Sequence, residues 1–179
     1  FQEHSKNLLI HIGDVANYHN VVSLIEKVID RFGKLDVLIN NAGMSNNFAE
    51  LEITNHEVVD EIINTNVKGG IFPSMVALPE LKKTKGAIIF VSSIAAFRGL
   101  PGYSLYSLSK MALTTLAQSL RVENKNASVG SLSCLYLGSW SRFCTVLTVL
   151  LKLFSLGLNG PHSHQIEHTV VNIQSVLDS

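Results

Sequence analysis

The sequence predicts an α/β domain built on a parallel sheet, and three observations support this prediction. Short apolar segments alternate along the chain with longer segments of helical period. The apolar segments are continuous runs, which is typical of parallel strands buried on both faces. Several of them end in Asn, Asp or Ser, and open parallel sheets bind their ligands beyond the carboxyl ends of the strands.

The predicted elements follow one another in a regular order. Strands are expected at residues 8–12 (LLIHI), 35–40 (LDVLIN) and 86–93 (GAIIFVSS). Helices are expected where apolar side chains recur at helical spacing, and the first of them should end at Gly33. The helical segments are residues 17–34, 57–72 and 104–124.

The composition limits the partners of the chain. Its 179 residues, 46% of them hydrophobic, suit one domain with a buried core. Lys+Arg and Asp+Glu both number 14, so no net charge would attract nucleic acid or an anionic membrane. Cys134 and Cys144 are too few for a disulfide framework, which favours a reducing compartment, cytoplasmic by default.

The most apolar segment of the chain is residues 143–158, which include Lys152. It is shorter than the ~20 residues of a membrane span. We therefore expect a buried or interfacial helix here and no clear membrane span.

The segment YSLYSLSK, residues 103–110, places two tyrosines before one lysine. Tyr106 and Lys110 are four residues apart and share one face of a helix. A lysine ammonium beside a phenol is expected to lower the pKa of Tyr106 below ~10, which suits a general acid or base. Tyr103 precedes the expected helix, since a Pro-Gly pair stands before it, and we expect a wall or rim residue. The same spacing also arises by chance, with Tyr106 a surface aromatic.

Further motifs accompany this pair in a fixed order: Asp14-Val15, NNAG at residues 40–43, Asn66 in NVKG, and Ser93 thirteen residues before Tyr106. Over roughly residues 5–125 the sequence resembles the classical short-chain dehydrogenase/reductases. The resemblance implies a doubly wound, Rossmann-like parallel sheet. It also implies reversible hydride transfer between a nicotinamide cofactor, NAD or NADP, and a small-molecule carbonyl or alcohol substrate.

The resemblance also implies a role for each residue. Tyr106 would protonate the carbonyl oxygen or deprotonate the alcohol, and Lys110 would lower the pKa of Tyr106. Ser93 would hydrogen-bond the substrate oxygen, and Asn66 would hold a water of a proton relay. The expected cofactor-binding residues are Asp14 and Val15 at the adenine, Asn41, Ala42 and Gly43 at the adenosine ribose, and Tyr106 and Lys110 at the nicotinamide ribose.

Structural interpretations of the same residues stay open. Asp14 could be a helix N-cap, and Asn66 could stand at the start of a helix. Ser93 could be a buried hydroxyl bonded to the backbone, and Asn41 could hold neighbouring strands together.

The sequence also departs from the family. None of its 12 glycines forms the G-x-x-x-G-x-G turn that cradles the cofactor pyrophosphate, so the sheet is expected to be incomplete at its N-terminal βαβ unit. We divide the chain into a partial Rossmann-like domain, residues 1–138, and a divergent tail, residues 139–179. A non-catalytic remnant with a binding or regulatory role is the alternative to an enzyme. If the chain folds, the family favours a homo-oligomer.

The tail contains a possible metal motif. His164 and His168, with Glu167 between them, match the H-x-x-E-H spacing of zinc proteases. Such sites need a further ligand well downstream, and only 11 residues follow His168. We therefore predict no metal site, and expect a solvated loop that enters a terminal helix.

Overall fold

A computed structural model describes residues 8–45 and 48–124, and the backbone of residues 128–134 and 170–173. The expected apolar helix at 143–158 and the histidine motif of the tail lie outside these residues. Within the described part, no helix is both long and apolar enough to cross a bilayer.

The described elements alternate as the sequence predicts. The strands are β1 (Val37–Asn40), β2 (Ala87–Ser93), β3 (Ser128–Cys134) and β4 (Val170–Ile173). The helices are α1 (Tyr18–Phe32), α2 (His56–Ile62), α3 (Gly69–Thr84) and α4 (Ser104–Glu123). A π-helical turn, Ile63–Lys68, joins α2 to α3, and short 3₁₀ turns span Leu51–Ile53 and Ile94–Ala96.

The four strands form one parallel sheet in the order β3-β2-β1-β4. Every residue of β1 is buried, and Ile89 is the single residue of β2 that is only half-buried. The prediction of parallel strands covered on both faces is therefore confirmed, and with it the α/β fold class.

The main core lies on one face of the sheet, where Leu38, Ile88 and Phe90 are fully buried. Helices α1, α3 and α4 cover this face with apolar side chains, among them Val28, Leu81 and Leu113. This packing lays α4 along β2. The helix that carries Tyr106 therefore lies on the strand that ends in Ser93.

Helix α1 begins and ends as the sequence indicates. The side chain of Asn17 caps its start by accepting a hydrogen bond from the Asn20 N–H at 3.2 Å. Gly33 ends it in the left-handed conformation, with φ 75°. Asp14 is therefore not the N-cap.

Residues 8–12 do not form a strand, so that prediction was wrong. Leu8, Ile10 and Ile12 are exposed by 53%, 77% and 87%, whereas Leu9 packs against the main core. A parallel strand requires a hydrogen-bonding neighbour. In the described sheet, β2 pairs with one side of β1, and β4, from the tail, pairs with the other side.

We expect the hydrogen bonds between β4 and β1 to stabilise the fold measurably. In a parallel strand, successive N–H groups point to opposite sides, so only one of Val171 and Asn172 donates toward β1. Proline in place of the residue whose N–H donates toward β1 should lower the free energy of unfolding by roughly 1–3 kcal/mol. Proline in place of the residue whose N–H points away from β1 should change this free energy less.

Urea unfolding of V171P and N172P checks this expectation, each variant serving as the control for the other. Two variants as stable as the wild-type chain would show that residues 170–173 are not a strand of this sheet.

Candidate active site

The carboxyl ends of β1 and β2 bring the predicted polar residues to one edge of the sheet. Asn40 ends β1 and is paired in register with Phe90, three residues before Ser93 at the end of β2. Asn41, Ala42 and Gly43 follow β1 directly. The chain thus places its strand-end motifs side by side, as the sequence suggested.

The hydroxyl of Ser93 serves two partners. Its Oγ accepts a hydrogen bond from the Ala95 N–H at 3.2 Å, which caps the 3₁₀ turn after β2. It is also hydrogen-bonded to the half-buried Tyr106 side chain. The structural interpretation of Ser93 is therefore correct, and the same hydroxyl still lies beside the predicted acid.

Lys110 lies beneath this pair, with only 4% of its surface exposed. Its Nζ donates a hydrogen bond to the Val91 carbonyl oxygen at 2.9 Å and lies 5.7 Å from the centre of the Tyr106 ring. That distance is within the range of a cation–π interaction. The helical spacing therefore does bring the ammonium to the phenol ring.

The expected lowering of the Tyr106 pKa is not observed. Burial raises the pKa of Tyr106 above its usual 10.0, and the hydrogen bond with Ser93 offsets this only in part. Burial also lowers the pKa of Lys110 from 10.5 to about 8. Removal from water penalises the charged form of each group, and the Lys110 ammonium bonds to a carbonyl oxygen. The phenol is therefore protonated at neutral pH.

Asn66 is fully buried inside the π-helical turn, not at the start of a helix. Its Oδ1 accepts from the Met44 N–H at 2.7 Å, and its Nδ2 donates to the Met44 carbonyl at 2.9 Å and to Ser109 Oγ at 2.8 Å. Ser109 Oγ in turn donates to the Tyr106 carbonyl oxygen at 2.8 Å. Asn66 therefore fixes the backbone of the helix turn that presents Tyr106.

Gly43 leaves open the space next to the Lys110 ammonium. A Cβ at this position would lie 2.9 Å from Lys110 Nζ and 3.6 Å from Asn66 Oδ1. An ammonium has three N–H donors, and among the described residues Val91 takes one of them. The two remaining donors and the space left by the glycine fit the hydroxyl groups of a ribose.

The other predicted cofactor residues have structural contacts of different kinds. Asp14 is exposed, and its carboxylate accepts from the Ala16 N–H at 2.8 Å within its own turn. Val15 and Ala42 are side chains of the main core. Asn41 is buried, but the amide that ties β1 to another element is that of Asn40, which donates to Ser74 Oγ at 3.0 Å.

Sequence reasoning assigned no role to three hydroxyl groups that position the site: Ser92, Ser109 and Thr114. Ser92 Oγ and Thr114 Oγ1 each lie 3.1 Å from the Lys110 carbonyl oxygen and 2.9 Å from each other. Thr114 is four residues from Lys110 and shares its helix face, so this spacing was the available signal. No group of three His, Cys, Asp or Glu side chains that could hold a metal ion occurs among the described residues.

The lowered pKa of Lys110 predicts that stability rises with pH. Between about pH 8 and pH 10.5 the unfolded chain still holds a proton that the folded chain has released. The free energy of unfolding should therefore rise over this interval, by at most on the order of 3 kcal/mol. Above pH 10 the raised pKa of Tyr106 acts in the opposite direction, so the clearest window lies below that value.

Urea unfolding at several pH values in this window, on the wild-type chain and on K110M, measures the effect. The rise should vanish in K110M and persist in K82M, which alters an exposed lysine of α3. Equal slopes in the wild-type chain and K110M would contradict the prediction.

Comparisons with known proteins identify the family of the chain. The family model described as short chain dehydrogenase matches residues 1–138. The chain is 37% identical over 119 residues to the 11-beta-hydroxysteroid dehydrogenase-like 4A of Arabidopsis thaliana, over 66% of this chain and 40% of that protein. It is 35% identical over 136 residues to the 3-ketodihydrosphingosine reductase of Mus musculus, over 72% of this chain and 40% of that protein.

Solved structures show the same similarity. ElxO, solved with NADP bound, aligns at a TM-score of 0.74 with 25% identity, over 97% of this chain and 79% of that one. The chain spans about two fifths of the length of the curated relatives described above. Because the family model matches well over half of the chain and includes every residue of the candidate site, this chain belongs to the short-chain dehydrogenase family.

Proposed function

We propose that this chain carries the catalytic centre of an NAD(P)-dependent oxidoreductase that interconverts a carbonyl compound and an alcohol. One observation carries the proposal: the side chain of Tyr106 is hydrogen-bonded to Ser93, above the buried Lys110. Family membership and the NADP-bound relative ElxO support it. The proposal does not depend on the particular substrates of the longer relatives.

Tyr106 would act as the acid in the reducing direction. Its raised pKa keeps the phenol protonated at neutral pH, so a proton is available to the carbonyl oxygen of a substrate. Ser93 Oγ, already beside this hydroxyl, would donate a second hydrogen bond to the same oxygen as negative charge develops there. Two adjacent hydroxyl groups thus define where the reacting oxygen would lie.

Lys110 and Asn66 would support the proton transfer. A Lys110 ammonium 5.7 Å from the Tyr106 ring centre would stabilise the phenolate left after the proton has moved. Both N–H donors of the Asn66 side chain are already bonded to protein groups. A relay water held by Asn66 would therefore bind one of its oxygen atoms, which fits the family's role for this residue.

The nicotinamide cofactor would supply or accept the hydride. Lys110 and the open space at Gly43 would hold the nicotinamide ribose, as their donors and geometry fit hydroxyl groups. Asp14, Val15, Asn41 and Ala42 would contribute at the adenosine end. The sequence contains no G-x-x-x-G-x-G turn for the pyrophosphate, so cofactor affinity is the critical measurement for this chain.

Cofactor binding should raise the thermal stability of the chain. At a concentration ~100 times Kd, NADPH or NADH should add about 2.7 kcal/mol. Thermal unfolding with each cofactor, and with adenosine alone as a control, measures this and also reports the preference between NAD and NADP. No shift with either cofactor would contradict the proposal and favour a non-catalytic remnant.

Replacing Tyr106 by phenylalanine should stop turnover but leave cofactor binding nearly intact. The variant keeps the ring and loses the acid, so kcat should fall by roughly 10²–10⁴-fold or more. Y18F removes a phenol from the start of α1 and should keep wild-type turnover. Ketone-dependent oxidation of NADPH or NADH measures both variants, and undiminished activity of Y106F would show that another group is the acid.

A further inference from the structure

Tyr106 belongs to a chain of three aromatic rings at the mouth of the candidate site. The ring centres of Tyr106 and Tyr103 are 6.5 Å apart, and those of Tyr103 and Phe48 are 5.8 Å apart, both pairs edge-to-face. Phe48 lies in the connection after β1, and both tyrosines lie at the start of α4. The three rings therefore join the two segments that flank the Ser93 and Tyr106 hydroxyls.

Gly102 holds the Phe48 ring in this place. Its φ is 71°, and a Cβ there would lie 2.7 Å from Phe48 Cδ2, so the ring packs directly on the glycine. The Ala49 N–H also donates to the Gly102 carbonyl oxygen at 3.1 Å. These contacts anchor Phe48, and yet 67% of its surface remains exposed.

Phe48 is thus anchored and exposed, and one ring, that of Tyr103, lies between it and Tyr106. Exposed apolar side chains also occur in the two connections that leave the same sheet edge, and exposed apolar surface often marks a binding site. They are Phe48, Leu51 and Ile53 after β1, and Ile94, Phe97 and Leu100 after β2. A small polar carbonyl compound would leave all of this surface in water.

We infer that Phe48 is a specificity-determining residue that selects carbonyl and alcohol substrates with a bulky apolar body. The reacting oxygen lies at Ser93 and Tyr106, and the apolar body of the substrate covers Phe48 and the edge of Tyr103. This inference rests on the proposed function for the position of the reacting oxygen. It adds the substrate class, which the catalytic residues do not determine.

Equilibrium binding of two ketones to the full chain tests this inference without requiring turnover. The probes are decalone, a fused bicyclic ketone, and hydroxyacetone, a small polar one, titrated calorimetrically. Decalone should bind the wild-type chain more tightly. F48A should weaken decalone binding by about tenfold to a hundredfold, the loss expected for one apolar side chain, and leave hydroxyacetone unchanged.

Two further variants separate this role from a general effect on folding. G102A keeps the Phe48 side chain but forces its ring away, so it should also weaken decalone binding by tenfold or more. V122A alters an apolar side chain that is at least as exposed, at the far end of α4, and should change nothing. Urea unfolding of each variant checks that the fold persists.

The possible outcomes distinguish this inference from the proposed function. Equal decalone affinity in the wild-type chain and F48A, or no decalone binding to the wild-type chain, would overturn the role of Phe48 whatever the activity. Binding that depends on Phe48, in a chain that oxidises neither NADPH nor NADH with either ketone, would uphold the apolar surface. It would then be the proposed reaction that failed.

Discussion

The site depends on one buried amide, the side chain of Asn66. Its three hydrogen bonds reach the Met44 N–H, the Met44 carbonyl and Ser109, which belong to the loop after β1 and to α4. The Asn66 side chain is fully buried, so loss of any partner would leave a buried polar group unsatisfied at about 1–3 kcal/mol. The π-helical turn places Asn66 between these two elements, and such turns occur frequently at functional sites.

A second set of hydrogen bonds holds the other end of the same helical turn. Asn66 acts through Ser109 on the carbonyl of Tyr106, whereas Ser92 and Thr114 bond to the carbonyl of Lys110. The turn of α4 that separates the phenol from the ammonium is thus tied at one end to the π-helical turn and at the other to β2. Both side chains project from rigid backbone, which explains how a half-buried tyrosine is kept beside Ser93.

Much of this arrangement could be predicted because it follows from spacing. Four residues on a helix bring Tyr106 and Lys110 together, and continuous apolar runs predict the buried strands β1 and β2. The sequence could not reveal that burial raises the pKa of Tyr106, since this effect depends on how much water the fold excludes. Phe48 escaped notice for a similar reason, because its partners Gly102 and Tyr103 are more than fifty residues away.

One strand prediction was wrong, because the available pairing partner, and not the local sequence, determines whether that strand forms. Residues 8–12 have the apolar character of a strand, but in the described sheet the edge of β1 pairs with β4 instead. That pairing extends to Asn40, the last residue of β1, which is in register with Ile173. Met44, which bonds to Asn66, follows four residues later. A parallel neighbouring strand contributes hydrogen bonds between backbone groups, and these bonds do not require particular side chains. The tail lacks the family's motifs, but its strand β4 can therefore support β1. The loop that follows β1 contains Met44, to which Asn66 is hydrogen-bonded.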